Sequence, residues 1–188
     1  MSCRTLTPIG KDSCLSNKGG LTTTIWATNR SKLVIGKQMT TGSNPQETGY
    51  ATLEWDTSKS ATSADMVSYS FRKQSSGLTS EGTFDDANGV AFFTNNLALV
   101  FARQDVTKRM AIQALALQED LAVIVKDANG EIYFLGMDDS VTTTAAGAAT
   151  GTAATDANNY TITLTDISNE LPYFVSEATL NTLLGNNE

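Results

Sequence analysis

Leu121-Ala122-Val123-Ile124-Val125-Lys126-Asp127-Ala128-Asn129-Gly130-Glu131-Ile132-Tyr133-Phe134-Leu135-Gly136 sets two apolar runs on either side of a tight turn. Asp127-Ala128-Asn129-Gly130 has the chemistry of a type I turn closed by a left-handed glycine, which reverses a strand and sets hairpin register. Side chains alternate between faces along a strand, so Leu121, Val123 and Val125 point one way while Ala122 and Ile124 point the other. The return strand splits likewise, Ile132 and Phe134 against Tyr133 and Leu135. Both faces are apolar, which predicts a hairpin held between two layers at the centre of the core.

The 188 residues, 40% of them hydrophobic, are enough to bury one sizeable core, and length favours a single domain over 1–188. No apolar run approaches the roughly 20 residues that cross a bilayer. The opening MSCRTLTPIGK lacks the apolar stretch of a signal peptide, so a soluble, unprocessed protein without a membrane partner is expected. Twenty acidic against 13 basic residues, a net charge of -7, argue against a surface that grips phosphate. The absence of histidine removes the commonest general base and the commonest nitrogen ligand for transition metals. Cys3 and Cys14 flank a short N-terminal segment; they close a loop in an oxidising compartment or stay reduced in the cytosol.

Along the chain, residues 1–20 carry Pro8, Gly10, Gly19 and Gly20 without a period and read as an N-terminal arm. Leu21 to Ala27 suits a strand, and Lys32 to Ile35 a short second one. Gly36 to Gly49 reads as an unusually long polar loop. Tyr50 to Trp55 alternates as a strand with one wet face. Met66 to Lys73 gives the cleanest alternation, with Val67, Tyr69 and Phe71 inward against Ser68, Ser70 and Arg72. Gly77 to Phe84, the turn Asp86-Ala87-Asn88-Gly89 and the run Val90 to Arg103 make a second hairpin.

Asp105 to Asp120 is dense in strong helix formers and predicts the main α-helix, at about 105–119. Met110, Ala114, Leu117 and Leu121 are expected to face the core, widened by Ala111 and Leu115, with Lys108, Gln113 and Gln118 in solvent. Asp105 or Thr107 caps its start. Residues 138–158, a Thr/Ala/Gly tract, have no large side chain to bury and read as a flexible loop. Tyr160, Ile162 and Leu164 alternate with threonines in another half-wet strand. Pro172 marks Tyr173-Phe174-Val175 as an edge strand. Ser176 caps a short C-terminal helix that docks Leu180, Leu183 and Leu184 and ends at Gly185. The expected fold is therefore mainly β, an antiparallel β-sandwich or barrel flanked by one main α-helix and a short C-terminal helix.

Catalytic, cofactor-binding and metal-ligating sites are not expected. Asp85-Asp86 and Asp138-Asp139 are adjacent pairs, which do not converge on one bond as paired carboxylates must. Asp127-x-Asn129-Gly130 brings its glycine too early for a calcium loop, and Asp138 stands where a bidentate Glu belongs. Asn29-Arg30-Ser31 and Asn159-Tyr160-Thr161 match a glycosylation pattern that recurs by chance. No phosphate-binding glycine loop, paired CxxC or Ser/His/Asp set can be written, and the aromatic residues sit at strand spacing as core filling.

The order of the pieces is nonetheless specific: Cys14 and Gly19-Gly20 before the first strand, a helix before the hairpin, NGEIYFLG at 129–136, the Thr/Gly tract, and YTITLTDISNELPYFV at 160–175. It resembles tail-tube and tail-tube-like structural proteins of tailed phages and prophages, particularly those infecting Bacteroidota. Asn159 departs from the glycine usual after Asn in the family's last turn, and 36–49 has no counterpart there. The resemblance implies a virion protein, assembled in the host cytoplasm, whose copies form six-fold rings stacked into a hollow tube. Partners implied are the chain itself, other tail proteins, and genomic DNA that passes without specific binding. An acidic wall would let phosphate slide by. Two alternatives stay open: a tail-end or neck ring of the same fold, and a monomeric β-sandwich binding or adhesion module.

Overall fold

The computed structural model describes residues 17–41 and 45–186; Cys3, Cys14 and most of the N-terminal arm lie outside them. In chain order the described residues form strands β1 (Leu21–Asn29), β2 (Leu33–Met39), β3 (Glu47–Trp55), β4 (Val67–Ser70), β5 (Gly77–Asp85) and β6 (Val90–Ala102), helix α1 (Val106–Ala116), strands β7 (Leu121–Asp127), β8 (Ile132–Leu135), β9 (Thr142–Ala149), β10 (Asn159–Ser168) and β11 (Tyr173–Phe174), and helix α2 (Glu177–Leu184). The protein is mainly β, with two sheets flanked by a main helix and a short C-terminal one. A seven-stranded sheet runs β2-β3-β11-β8-β7-β1-β4 and a four-stranded sheet runs β5-β6-β10-β9. Strand pairs are antiparallel except for the single parallel contact of β11 with β3.

The central hairpin β7-β8 has the double-sided burial its sequence dictates. Leu121, Val123, Val125 and Leu135 face the four-stranded sheet, meeting Leu97, Leu99, Phe101, Ile162 and Leu164. Ala122, Ile124, Ile132 and Phe134 face the other way, against Leu180 and Leu183 of α2 and Leu53 of β3. The molecule therefore has three layers with the larger sheet in the middle. The turn forms as expected: Asp127 Oδ1 accepts from the backbone N–H of Asn129 and Glu131 at 2.8 and 2.9 Å, and Gly130 takes a φ of 103°. Trp55 closes the third layer by donating from Nε1 to the Leu183 carbonyl at 3.0 Å.

Several local expectations give way. Half of 36–49 is strand: β2 continues to Met39 and β3 begins at Glu47, because backbone pairing between them overrides the weak strand propensity of this polar text. The loop expected at 138–158 contains β9, whose backbone pairs antiparallel with β10. The Tyr173-Phe174 strand is interior, between β3 and β8; Pro172 stands just before it, so its missing N–H costs no ladder bond. Val67 is exposed because β4 is short and sits at the sheet edge.

The largest reversal concerns α1. Ile112 and Leu115 enter the core, whereas Val106, Met110 and Leu117 are 77%, 61% and 73% exposed. The helix carries two apolar stripes on opposite sides, and the one that includes Met110 and Leu117 is not the one that packs. Asp105 caps the helix as expected, accepting from the Lys108 N–H at 2.8 Å.

Phe134 is 1% exposed at the centre of the middle layer. Phe134→Ala is expected to lower unfolding free energy by ~3–5 kcal/mol in chemical denaturation, while Met110→Ala stays within about 0.5 kcal/mol.

Candidate assembly surface

The four-stranded sheet departs from the rest of the molecule at its margins. Its inward positions near the middle, Leu97, Leu99, Ile162 and Leu164, are fully buried. Its outer strands are different. β9 is exposed along nearly its whole length on both faces, and β5 is exposed from Thr79 to Phe84. Each forms one edge of the sheet, so each presents an unpaired row of backbone N–H and C=O groups. Natural sheets blunt such edges with lysine, proline or inward charges. TTTAAGAA in β9 and GLTSEGTFD in β5 hold no lysine or proline, and their charges are Glu81 and Asp85 alone.

The middle rows of this sheet's solvent face are built from short side chains, with Phe92, Val100 and Ile167 on the same face toward its ends. The pairing sets Thr79, Asn96, Thr165 and Thr142 in one row, and Gly77, Ala98, Thr163 and Ala145 in the next. Thr165 Oγ1 lies 2.7 Å from Asn96 Oδ1 and 2.9 Å from Thr144 Oγ1, tying the rows together. No Lys or Arg stands in any of the four strands, and the carboxylates there are Glu81, Asp85 and Asp166. The open face of this sheet is thus poor in charge and rich in hydroxyls.

β10 ends opposite Phe93, so the β5-β6 hairpin runs beyond it as a two-stranded ribbon. Gly82 makes its tip possible: a Cβ there would lie 2.5 Å from the Phe84 ring and 3.1 Å from that of Phe93. Those rings meet edge to face across Gly82 at 5.6 Å. Phe84 is 66% exposed all the same. At the turn, the Asn88 amide and the backbone N–H groups of Asn88 and Ala87 hold the Asp85 carboxyl below the usual carboxylate range. Asp85-Asp86 is thereby a turn and not an acid/base pair.

A buried polar knot lies where the two sheets meet, and sequence reading passed over it. Asp166 is 2% exposed and accepts from Asn95 Nδ2 at 2.9 Å and from the Gly136 N–H at 3.2 Å. Asn95 Nδ2 also reaches Ser168 Oγ at 3.1 Å. Arg30 grips the same bend from the other side, donating from Nε to the Gly136 carbonyl at 2.8 Å and from a guanidinium nitrogen to Met137 O at 2.9 Å. Gly136 has a φ of 107°, and a Cβ there would press on Ala122. The signal was present, because Asp166 continues the inward alternation of Ile162 and Leu164. Burial pushes the Asp166 carboxyl upward, against the lowering effect of the Asn95 and Gly136 hydrogen bonds. The knot fixes the exit of the central hairpin, with the Asp166 carboxyl and the Ser168 hydroxyl both engaged by Asn95.

Asp138 and Asp139 act locally. Asp138 accepts from the Asn169 backbone and amide at 2.8 and 3.1 Å, and Asp139 from the Ser140 N–H at 2.7 Å. Among the described residues no three His, Cys, Asp or Glu side chains converge as a metal site, and no helix is long and apolar enough to cross a membrane. No protein-family model, curated protein or solved structure matches the chain.

A carboxylate whose folded pKa is raised binds its proton more tightly in the native state, so its contribution to stability falls as pH rises above the ordinary value of 3.8 and through the raised one. Asp166→Asn removes that slope. Chemical denaturation at a series of pH values should show the variant gaining on the wild type as pH rises across this window; a constant difference would exclude an elevated Asp166 pKa.

Proposed function

We propose that this chain is a virion structural subunit whose copies join edge to edge into rings that stack as a phage tail tube, forming a channel for genome passage. One observation carries the assignment: the four-stranded sheet has two bare edges whose directions match. In the order β5-β6-β10-β9 every neighbouring pair is antiparallel, so β5 and β9 run in opposite directions. Copies related by rotation alone therefore bring β9 of one beside β5 of the next in antiparallel alignment, and an even strand count continues the alternation without a break. Rotation of this kind closes a ring, and closure removes every free edge. The ring symmetry of six comes from the family resemblance; the edge geometry asks only that the ring close with a consistent strand tilt.

The chemistry of the sheet suits such a channel. A wall of threonine, asparagine and alanine without cations offers phosphate nothing to bind, so DNA would pass for lack of attraction more than by repulsion. Cα-level smoothness follows from the short side chains. A tail-end or neck ring would use the same closure.

A second reading draws on a groove of about 410 Å³ beside β5, lined by Leu78, Tyr133, Leu171, Pro172 and Phe174. A monomeric binding module would hold its ligand there. The two readings compete for one surface, since the next copy's β9 would lie along the same edge.

Sedimentation velocity and negative-stain electron microscopy of purified protein test the assignment. Rings or tubes are expected for the wild type. Ala148→Lys, which sets a charge on the bare β9 edge, is expected to leave monomers of unchanged melting behaviour. Wild-type protein that stays monomeric at high concentration would overturn the tube assignment and direct attention to the groove.

A further inference from the structure

We infer that the tip of the β5-β6 hairpin docks on the outward stripe of α1 in the next copy, forming the contact that stacks one ring on another. This rests on the tube assignment and names the surfaces that propagate it.

The two elements lie at opposite ends of one strand. β6 runs 13 residues from the tip to the approach of α1, a span of about 40 Å at roughly 3.3 Å per residue. The tip therefore cannot reach the helix of its own chain. A second copy displaced along this direction can present its helix to the tip, and the same offset repeats without limit, as head-to-tail contacts do.

Their chemistries match. The tip offers Phe84, 66% exposed, on one face of the ribbon and Val90, 38% exposed, on the other, with Glu81, Asp85 and Asp86 around them and no cation between residues 81 and 90. The helix offers Val106, Met110 and Leu117, all more than half exposed on the side opposite Ile112 and Leu115. At the N-terminal end of that stripe stand Arg103 and Arg109, while Lys108 turns to the other side and donates to the Ala102 and Arg103 carbonyls; three cations against Asp105 leave +2 over 103–110, and Glu119 and Asp120 lie beyond Leu117 at the other end. Lys108 is engaged with Asp105 at 3.1 Å, whereas Arg103 and Arg109 are exposed and make no ion pair among the described residues. An apolar centre with opposite charges on the two rims is the composition of a specific protein contact. Helix α1 keeps its second apolar stripe in water only while no neighbour covers it.

Charge exchange in the full chain tests the contact. Asp86→Arg and Arg109→Glu both alter exposed groups, and thermal melts confirm that each variant folds. Each is expected to weaken axial association about tenfold or more, so that sedimentation velocity and electron microscopy find single rings in place of stacks. The double exchange, Asp86→Arg with Arg109→Glu, is expected to restore stacking. Met110→Ser, which leaves charge untouched, should also shorten stacks. Undiminished stacking in both single variants, or a double variant that stays as single rings, overturns the tip-to-helix contact while the tube assignment stands. Wild-type protein that forms neither rings nor stacks overturns both.

Discussion

A hairpin apolar on both faces has to be covered twice. Val123 and Val125 look toward one sheet while Ile124 and Phe134 look toward α2, and all four are essentially removed from water. Leaving either side open would expose several large side chains, each worth roughly 1.5–3 kcal/mol on burial. The layered architecture follows from that demand. β6 and β10 supply one cover through Leu97, Leu99, Ile162 and Leu164, and α2 supplies the other through Leu180 and Leu183. Asp166 and Arg30 then fix the bend at Gly136 from opposite sides, holding the hairpin in register between its covers.

The parts of the fold legible in the sequence are those where local chemistry and tertiary packing agree. The turns ending in Gly89 and Gly130, the alternation of Tyr160 to Thr165 and the caps at Asp105 and Ser176 each declare themselves in a few residues. The misread parts are those where packing chose between locally equal options. Helix α1 carries apolar residues on two sides, and only the position of the sheets selects Ile112 and Leu115 over Met110 and Leu117. β9 has too little side chain to signal a strand; its existence depends on β10 lying beside it. β11 is two residues long, and the proline before it suggested an edge because the ladder it enters is assembled from segments far apart in the chain. Of the candidate surface, the scarcity of basic residues was visible, but not that the four strands of one sheet lack them altogether.

Two economies of side chain separate the smaller sheet from the larger. Where it covers β7 and β8 its inward positions are large and aliphatic. Where it extends past them, β9 is all Thr, Ala and Gly, and the β5-β6 tip mixes Gly, Thr and Ala with carboxylates and an aromatic pair. Such margins contribute little hydrophobic stabilisation of their own, and a two-stranded ribbon is marginal in water when isolated. Their backbone groups are satisfied on one side only. A sequence selected for a lone molecule gains from trimming or charging these edges, whereas one selected for a closed ring gains from keeping them long, flat and pairable.

The same distinction bears on charge. If repulsion of DNA were the property that mattered, carboxylates would be concentrated on the open face of the sheet. They are not: that face carries hydroxyls and amides with Glu81 and Asp85 near its far end, while most acidic groups serve in turns and caps such as Asp127, Asp56 and Asp156. What the face excludes is the cation. A phosphate passing a repulsive wall is pushed toward the axis at a cost that grows with each ring, while one passing a neutral wall meets neither wells nor barriers. For the tube proposed above, absence of Lys and Arg along all four strands is the simpler requirement for passage without binding.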